Sequence, residues 1–134
     1  GKKVAPQEIE TCLKADPLIA QAVPWGDNKP YVAALIVPDL ERLARLLGSP
    51  LPKTSKERED LCADPRASEL IQARIEKLME PLAPYKHVRK VCLHAHEMTL
   101  EGGELTPTMK VKTRVIKERY GAKMEGLYST KPGA

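Results

Sequence analysis

Tyr31-Val32-Ala33-Ala34-Leu35-Ile36-Val37 is an almost unbroken apolar run, set between Pro30 and Pro38. A strand with one face in water alternates apolar and polar residues. This run does not, so it reads as a central strand covered on both faces. A second apolar run, Leu18 to Val23, precedes it. Between them lies Pro24-Trp25-Gly26-Asp27-Asn28-Lys29-Pro30, dense in turn formers. The two runs read as a β-hairpin with an irregular loop.

Helices are expected on both sides of the hairpin. Upstream, Gly1 to Ala5 reads as the tail of a strand or loop, and Pro6 suits the first turn of a helix. Ile9, Cys12 and Leu13 share one face, and Asp16-Pro17 stops that helix. Downstream, Asp39 is a good N-cap, Leu40, Leu43 and Leu47 form a stripe, and Gly48 can end the helix. Thr54 with Glu57 has the form of a capping box for a short helix ending near Leu61. Asp64-Pro65 starts the longest helix, with Leu70, Ile71, Arg74, Ile75, Leu78 and Leu82 in period. Pro81 and Pro84 end it. Val88 to His96 reads as a strand with Val91, Leu93 and Ala95 on one face. A last helix is expected from Lys112 to Tyr120, with Val115 and Ile116 inward and Gly121 as its stop. The tail from Ser129 to Ala134 is expected to fray. The order α, β, β, α, α, α, β, α predicts an α+β fold, a small mixed sheet with a β-hairpin flanked by helices. The segment from Leu47 to Pro65 reads as a surface insertion.

Composition narrows the class. The 134 residues suit one domain. Hydrophobic residues are 42% and charged residues 30%, as in a soluble globular domain. No apolar run approaches a membrane span. Lys plus Arg is 22 against 18 Asp plus Glu, a net charge of +4. That mild excess fits an anionic small molecule as well as nucleic acid. Cys12, Cys62 and Cys92 are sparse and odd in number, which points to a reducing compartment, the cytoplasm. With aromatics at 4% and no Phe, the core rests on Leu, Ile, Val, Ala and Met. The chain opens on Gly1 and not Met, so further sequence is expected upstream.

The most informative chemistry lies in Glu101 to Tyr120, which sets Lys110 at the end of a loop just before a helix. An ammonium on a long stem reaches into a neighbouring site and touches several oxygens. That suits charge developing on a phosphoryl group or carboxylate. On spacing alone, a solvated lysine is the blander reading. Cys92, His94 and His96 alternate along the expected strand, with neighbours about 6.7 Å apart. They are candidate zinc ligands, or one solvated face. Lys86, Arg89, Lys90, Lys110, Lys112, Arg114, Lys117 and Arg119 could form an anion-binding patch. Scarce aromatics argue against nucleic acid. Trp25 reads as a loop anchor, and Cys12 and Cys62 as small hydrophobes.

Three segments together resemble the C-terminal domain of an AMP-forming acyl-CoA ligase, of the long-chain fatty acid group. Gly1-Lys2-Lys3-Val4-Ala5-Pro6-Gln7-Glu8-Ile9-Glu10 is similar to the G-x-N-V-x-P-x-x-I-E stretch after that family's interdomain hinge. Asp16-Pro17-Leu18-Ile19 through Ala34-Leu35-Ile36-Val37-Pro38-Asp39 resembles its D-P-x-I…A-x-I-V-P-D hairpin. Leu105-Thr106-Pro107-Thr108-Met109-Lys110-Val111-Lys112 is similar to the long-chain L-T-P-T-x-K-x-K motif. Lys3 stands where the family has Asn. Met109 stands where the wider superfamily has Gly, in the manner of the long-chain group.

The resemblance implies a lid domain spanning residues 1–134, part of a larger polypeptide. Its N-terminal domain would bind ATP and the acyl group and is absent from this chain. The implied reaction joins a long-chain fatty acid to ATP as acyl-adenylate, then transfers the acyl group to CoA. Lys110 is implied as the adenylation lysine, and Gly1 as part of the CoA path. ATP, CoA and Mg belong to the complete enzyme, and none is expected on this chain alone, which would be inactive by itself. The implied partners are the N-terminal domain, fatty acid, ATP and CoA, with no nucleic acid. Long-chain substrates leave room for peripheral membrane association. The competing reading is a non-enzymatic basic module for an acidic partner or metal.

Overall fold

Three strands and five helices form in the expected order, in a computed structural model that describes residues 5–26 and 29–128. Helix α1 (Pro6–Leu13) leads into β1 (Ile19–Trp25) and β2 (Val32–Pro38). Helices α2 (Leu40–Leu47), α3 (Ser55–Ala63) and α4 (Pro65–Met79) follow. A short 3-10 turn at Pro84–Lys86 precedes β3 (Val88–Leu93), and α5 (Thr113–Tyr128) closes the described chain. Gly1 and the tail from Ser129 to Ala134 lie outside the described residues.

The sheet order is β1-β2-β3, antiparallel then parallel, so it is mixed. Parallel pairing requires a crossover, and α2, α3 and α4 supply it. All seven residues of β2 are buried, as its apolar run requires. Its alternation splits the core in two. Ala34 and Ile36 face a cluster with Ile9 and Leu13 of α1, Leu43 of α2, and Ile71, Ile75 and Met79 of α4. Ala33, Leu35 and Val37 face a second cluster with Met98, Leu105, Ile116 and Met124.

Local signals act as read. The Asp39 carboxylate accepts the Arg42 N–H at 3.2 Å, and Gly48 closes α2 at φ 67°. Thr54 and Glu57 form a reciprocal capping box, and Asp64 caps α4 through the Arg66 N–H. Within the stretch read as an insertion, α3 buries Leu61 against the first cluster. Cys12 behaves as a small hydrophobe with one hydrogen bond, from its thiol to Leu78 O at 3.0 Å.

Several boundaries differ. β1 runs on through Pro24 and Trp25, expected in the hairpin loop, because both pair with β2, and α4 ends at Met79, short of Leu82. The strand expected to reach His96 ends at Leu93. One further ladder bond follows, from His94 N–H to Ile36 O at 2.8 Å, and β2 ends two residues later at Pro38. The last helix does not stop at Gly121. It runs to Tyr128 because Met124 is fully buried and Leu127 and Tyr128 pack on the same cluster. That burial outweighs the roughly 1 kcal/mol cost of a helical glycine. Within this helix Ile116 is buried as expected, whereas Val115 is only half-buried.

Candidate functional site

Lys110 sits at the tip of a small hairpin. Leu105 and Val111 pair as an isolated antiparallel bridge. Thr106 N–H donates to Lys110 O, and Met109 N–H donates to Thr106 O, both at 2.7 Å. The enclosed loop is Pro107-Thr108-Met109. Proline in the second place of the turn brings a preset φ. Met109 takes φ 65°, the left-handed residue that closes three-residue hairpin loops. The Thr106 hydroxyl accepts Lys110 N–H at 3.1 Å and lies 3.0 Å from the Thr108 hydroxyl. The threonines therefore stitch the tip internally. Lys110 is exposed, and among the described residues its ammonium has no ion-pair or hydrogen-bond partner.

The hairpin forms one rim of a groove of about 800 Å³. Helix α1 contributes Pro6, Gln7, Glu10 and Thr11, and the β1 edge contributes Ala22 to Trp25. Helix α5 contributes Ile116, Lys117, Gly121 and Glu125. The floor is apolar and the rim is charged. Trp25 donates its ring N–H to Glu125 at 3.0 Å, and Lys29 pairs with the same carboxylate. Trp25 is thus a packed anchor that also lines the groove.

Two side-chain systems fasten the hairpin to the body. The Gln21 amide, from β1, pairs twice with the Met98 backbone, at 2.9 Å and 2.7 Å. Glu104, only 6% exposed, accepts the Tyr120 hydroxyl and lies 3.7 Å from Arg119. The Tyr120 hydroxyl also lies 3.3 Å from His94 Nε2. Burial and the neighbouring Glu104 push the Tyr120 hydroxyl up to about 12. It therefore stays a donor across any working pH.

The family described as AMP-binding enzyme C-terminal domain matches residues 1–132. The chain belongs to that family. It is 36% identical over 129 residues to the long-chain-fatty-acid–CoA ligase FadD15 of Mycobacterium tuberculosis, covering 96% of this chain and 22% of the relative. It is 29% identical over 135 residues to human long-chain-fatty-acid–CoA ligase 1, covering 97% and 19%. The chain thus spans about a fifth of the curated relatives it matches. A solved adenylation domain of a carboxylate reductase from Mycobacterium chelonae superposes with TM-score 0.79 at 26% identity, over 97% of this chain and 18% of that one. The A domain of a carboxylic acid reductase from Segniliparus rugosus, in complex with AMP and a co-purified carboxylic acid, gives TM-score 0.75 at 24% identity.

Other sequence candidates do not assemble within this AMP-binding C-terminal domain. Cys92 lies partly buried against the second cluster under α5, so its face of β3 is not a solvated one. Burial pushes its thiol up and holds His94 below its ordinary value, mainly through lost hydration. His94 is engaged by Tyr120, while His96 turns to Ser55 at 3.2 Å on α3. Among the described residues no three His, Cys, Asp or Glu side chains form a metal site. The basic residues are also dispersed. Lys86 pairs with Glu8, Lys90 bonds Leu127 O, Arg114 pairs with Glu118, and Arg119 faces Glu104. Only Lys110 and Lys117 of that set line the groove.

Sequence reading missed Gln21, Glu104 and Tyr120. A glutamate inside a Gly-Gly-Glu-Leu loop carries no burial signal, because only the folded chain brings a tyrosine 16 residues later onto it.

Proposed function

We propose that this domain is the mobile lid of an AMP-forming long-chain fatty acid–CoA ligase. Its partner would be a larger N-terminal domain of the same polypeptide, which binds ATP and the acyl group. The cytoplasm is the compartment we assign. The observation that carries the reading is the exposed Lys110 ammonium, without a partner among the described residues and held at a stitched hairpin tip on the rim of the groove.

In the first step a fatty acid carboxylate oxygen attacks the α-phosphorus of ATP. A new P–O bond forms, the bond to pyrophosphate breaks, and no proton transfer is required. Two anions meet, so negative charge concentrates between them. The Lys110 ammonium supplies hydrogen bonds and positive charge to the carboxylate and α-phosphate oxygens. Because the lysine is carried on a separate small domain, it can be delivered and withdrawn. In the second step the CoA thiol attacks the acyl carbonyl and AMP departs. Gly1, five residues before α1 in sequence, is proposed from the resemblance to line the pantetheine path. A magnesium ion travelling with ATP finds no ligand set among the described residues, so no step is routed through it. No observation favours a separate basic or metal-binding module, since the metal candidates and basic residues are dispersed.

The test is Lys110→Ala in the longer polypeptide. Acid-dependent ATP–pyrophosphate exchange is expected to fall about 10²- to 10³-fold, the cost of one missing oxyanion donor. Thioester formation from supplied acyl-adenylate should remain within a few-fold. Exchange at the wild-type rate would sink the reading.

A further inference from the structure

We propose that Glu104 and Tyr120 are positioning residues for Lys110, tying the lysine hairpin to the central strand through a chain of contacts. The inference rests on the reading of Lys110 as the adenylation lysine.

The carboxyl group of Glu104 is deeply buried, an arrangement that is costly unless its oxygens are hydrogen-bonded. It accepts the Tyr120 hydroxyl, with Arg119 Nη1 at 3.7 Å. Its other oxygen lies beside Gly102. A Cβ on Gly102 would lie 3.1 Å from Glu104 Oε1 and 2.8 Å from Thr99 Oγ1. A side chain at 102 would therefore crowd the Thr99 hydroxyl first and the Glu104 carboxyl second. Glu104 also holds the base of the hairpin through its main chain. Its N–H donates to Thr99 O at 3.2 Å, and its C=O accepts Lys112 N–H at 2.8 Å.

From Tyr120 the contacts run on to the sheet. The ring meets His94 edge-on at 4.9 Å, and His94 N–H continues the ladder onto Ile36 O. Sheet, His94, Tyr120, Glu104 and the Lys112 backbone thus form one continuous path to the hairpin. The tip needs none of this for its own shape, since Thr106 and Thr108 close it internally. What the path sets is the placement of the tip. Without it the hairpin would pivot on Gly102-Gly103, where Gly103 already stands at φ 82°. A misplacement of about 1 Å at a reacting group costs on the order of 10²-fold in rate.

Two measurements test this. On the 134-residue chain, Tyr120→Phe keeps the ring against His94 and removes the hydroxyl. Amide exchange followed by NMR should quicken at least tenfold at Glu104 and Lys112, the base of the hairpin. The Thr106 and Met109 amides at the tip, and those of β2, should keep their wild-type rates. Unchanged exchange at Glu104 and Lys112, or equal acceleration at every amide, would overturn the proposal. In the longer polypeptide, Tyr120→Phe should lower kcat for adenylate formation by 10- to 100-fold, the lower range set by partial misplacement. KM for ATP and for the acid should stay within about threefold, because the groove is untouched. Glu104→Ala should lower kcat as Tyr120→Phe does, whereas Glu104→Gln retains a carbonyl acceptor for the tyrosine and should recover most of kcat. A KM effect equal to the kcat effect, or no recovery with Gln, would count against positioning. If Lys110→Ala itself leaves adenylate formation intact, the functional reading fails while the exchange result still judges the anchoring.

Discussion

Met109 is the residue where motif and backbone meet. Its φ of 65° places an L side chain in a region that costs about 1–2 kcal/mol, and the residue is 65% exposed, so little burial offsets that cost. Glycine, which the wider superfamily resembled by this motif has at this place, is what the conformation favours. Met109→Gly should therefore raise stability by up to about 1 kcal/mol in urea unfolding, and Met109→Val should lower it by a similar amount. Asp16 makes the complementary case of a charge that holds the fold. Arg74 Nε and Nη2 donate to it at 2.6 Å and 3.2 Å, and the Leu18 N–H at 2.9 Å. The Arg74 hydrogen bonds hold this carboxyl below its usual range, against the upward push of burial. A lowered folded value means stability is present in full above the unfolded value near 3.9. It is lost as pH falls through the lower folded value. Asp16→Asn should cost about 1.5–3 kcal/mol at pH 7, and the difference from wild type should shrink below about pH 4. In sequence Asp16 is legible as a helix stop before Pro17 and as the start of the D-P-x-I stretch, not as half of an ion pair. Its partner Arg74 lies 58 residues away, on a helix face that the apolar period alone does not distinguish.

Elements show why the same residue type acts with opposite sign. Gly48 and Gly121 both follow apolar helical patterns, and both read as helix stops. Gly48 is one, at φ 67° with nothing near a Cβ. Gly121 lies inside α5, also with open space around a Cβ. Gly48→Ala should lower the unfolding free energy by about 1 kcal/mol, since alanine resists the left-handed region. Gly121→Ala should raise it by about 0.5–1 kcal/mol, since alanine loses less entropy in a helix. Thermal unfolding of the two variants would check both signs, and a fall in Tm for Gly121→Ala would contradict the continuous helix. Caps and stripes were readable because each is a local rule within four residues. The length of α5 was not, because Met124 and Leu127 become core only when the second cluster exists.

At the scale of the whole molecule, the two clusters share one wall. Even-numbered residues of β2 face α1 to α4, and odd-numbered residues face α5 and the hairpin loop. Losing either face exposes the other side of the same strand. Ile36→Ala and Leu35→Ala should each cost about 2–5 kcal/mol. Both should leave a single transition in which far-UV circular dichroism and the fluorescence of Trp25 coincide. Trp25 packs on the second cluster, so an early fluorescence change in Leu35→Ala alone would show that the faces unfold separately. The groove belongs to this scale too, because α1, the β1 edge, the lysine hairpin and α5 reach it from four separate parts of the chain.

By itself the sequence determined the element order, the central strand, the caps and the lysine of the T-P-T-M-K turn. Each of these follows from periodicity, dihedral preference or a motif within a few neighbouring residues. Tertiary structure alone decided the split of the core across β2, the run of α5 past Gly121, and the burial of Glu104 beneath Tyr120. It also engaged His94 with Tyr120 and His96 with Ser55, with no third His, Cys, Asp or Glu beside them to make a metal site among the described residues. Those outcomes depend on which distant side chains compete for the same buried space, and no local pattern records that competition.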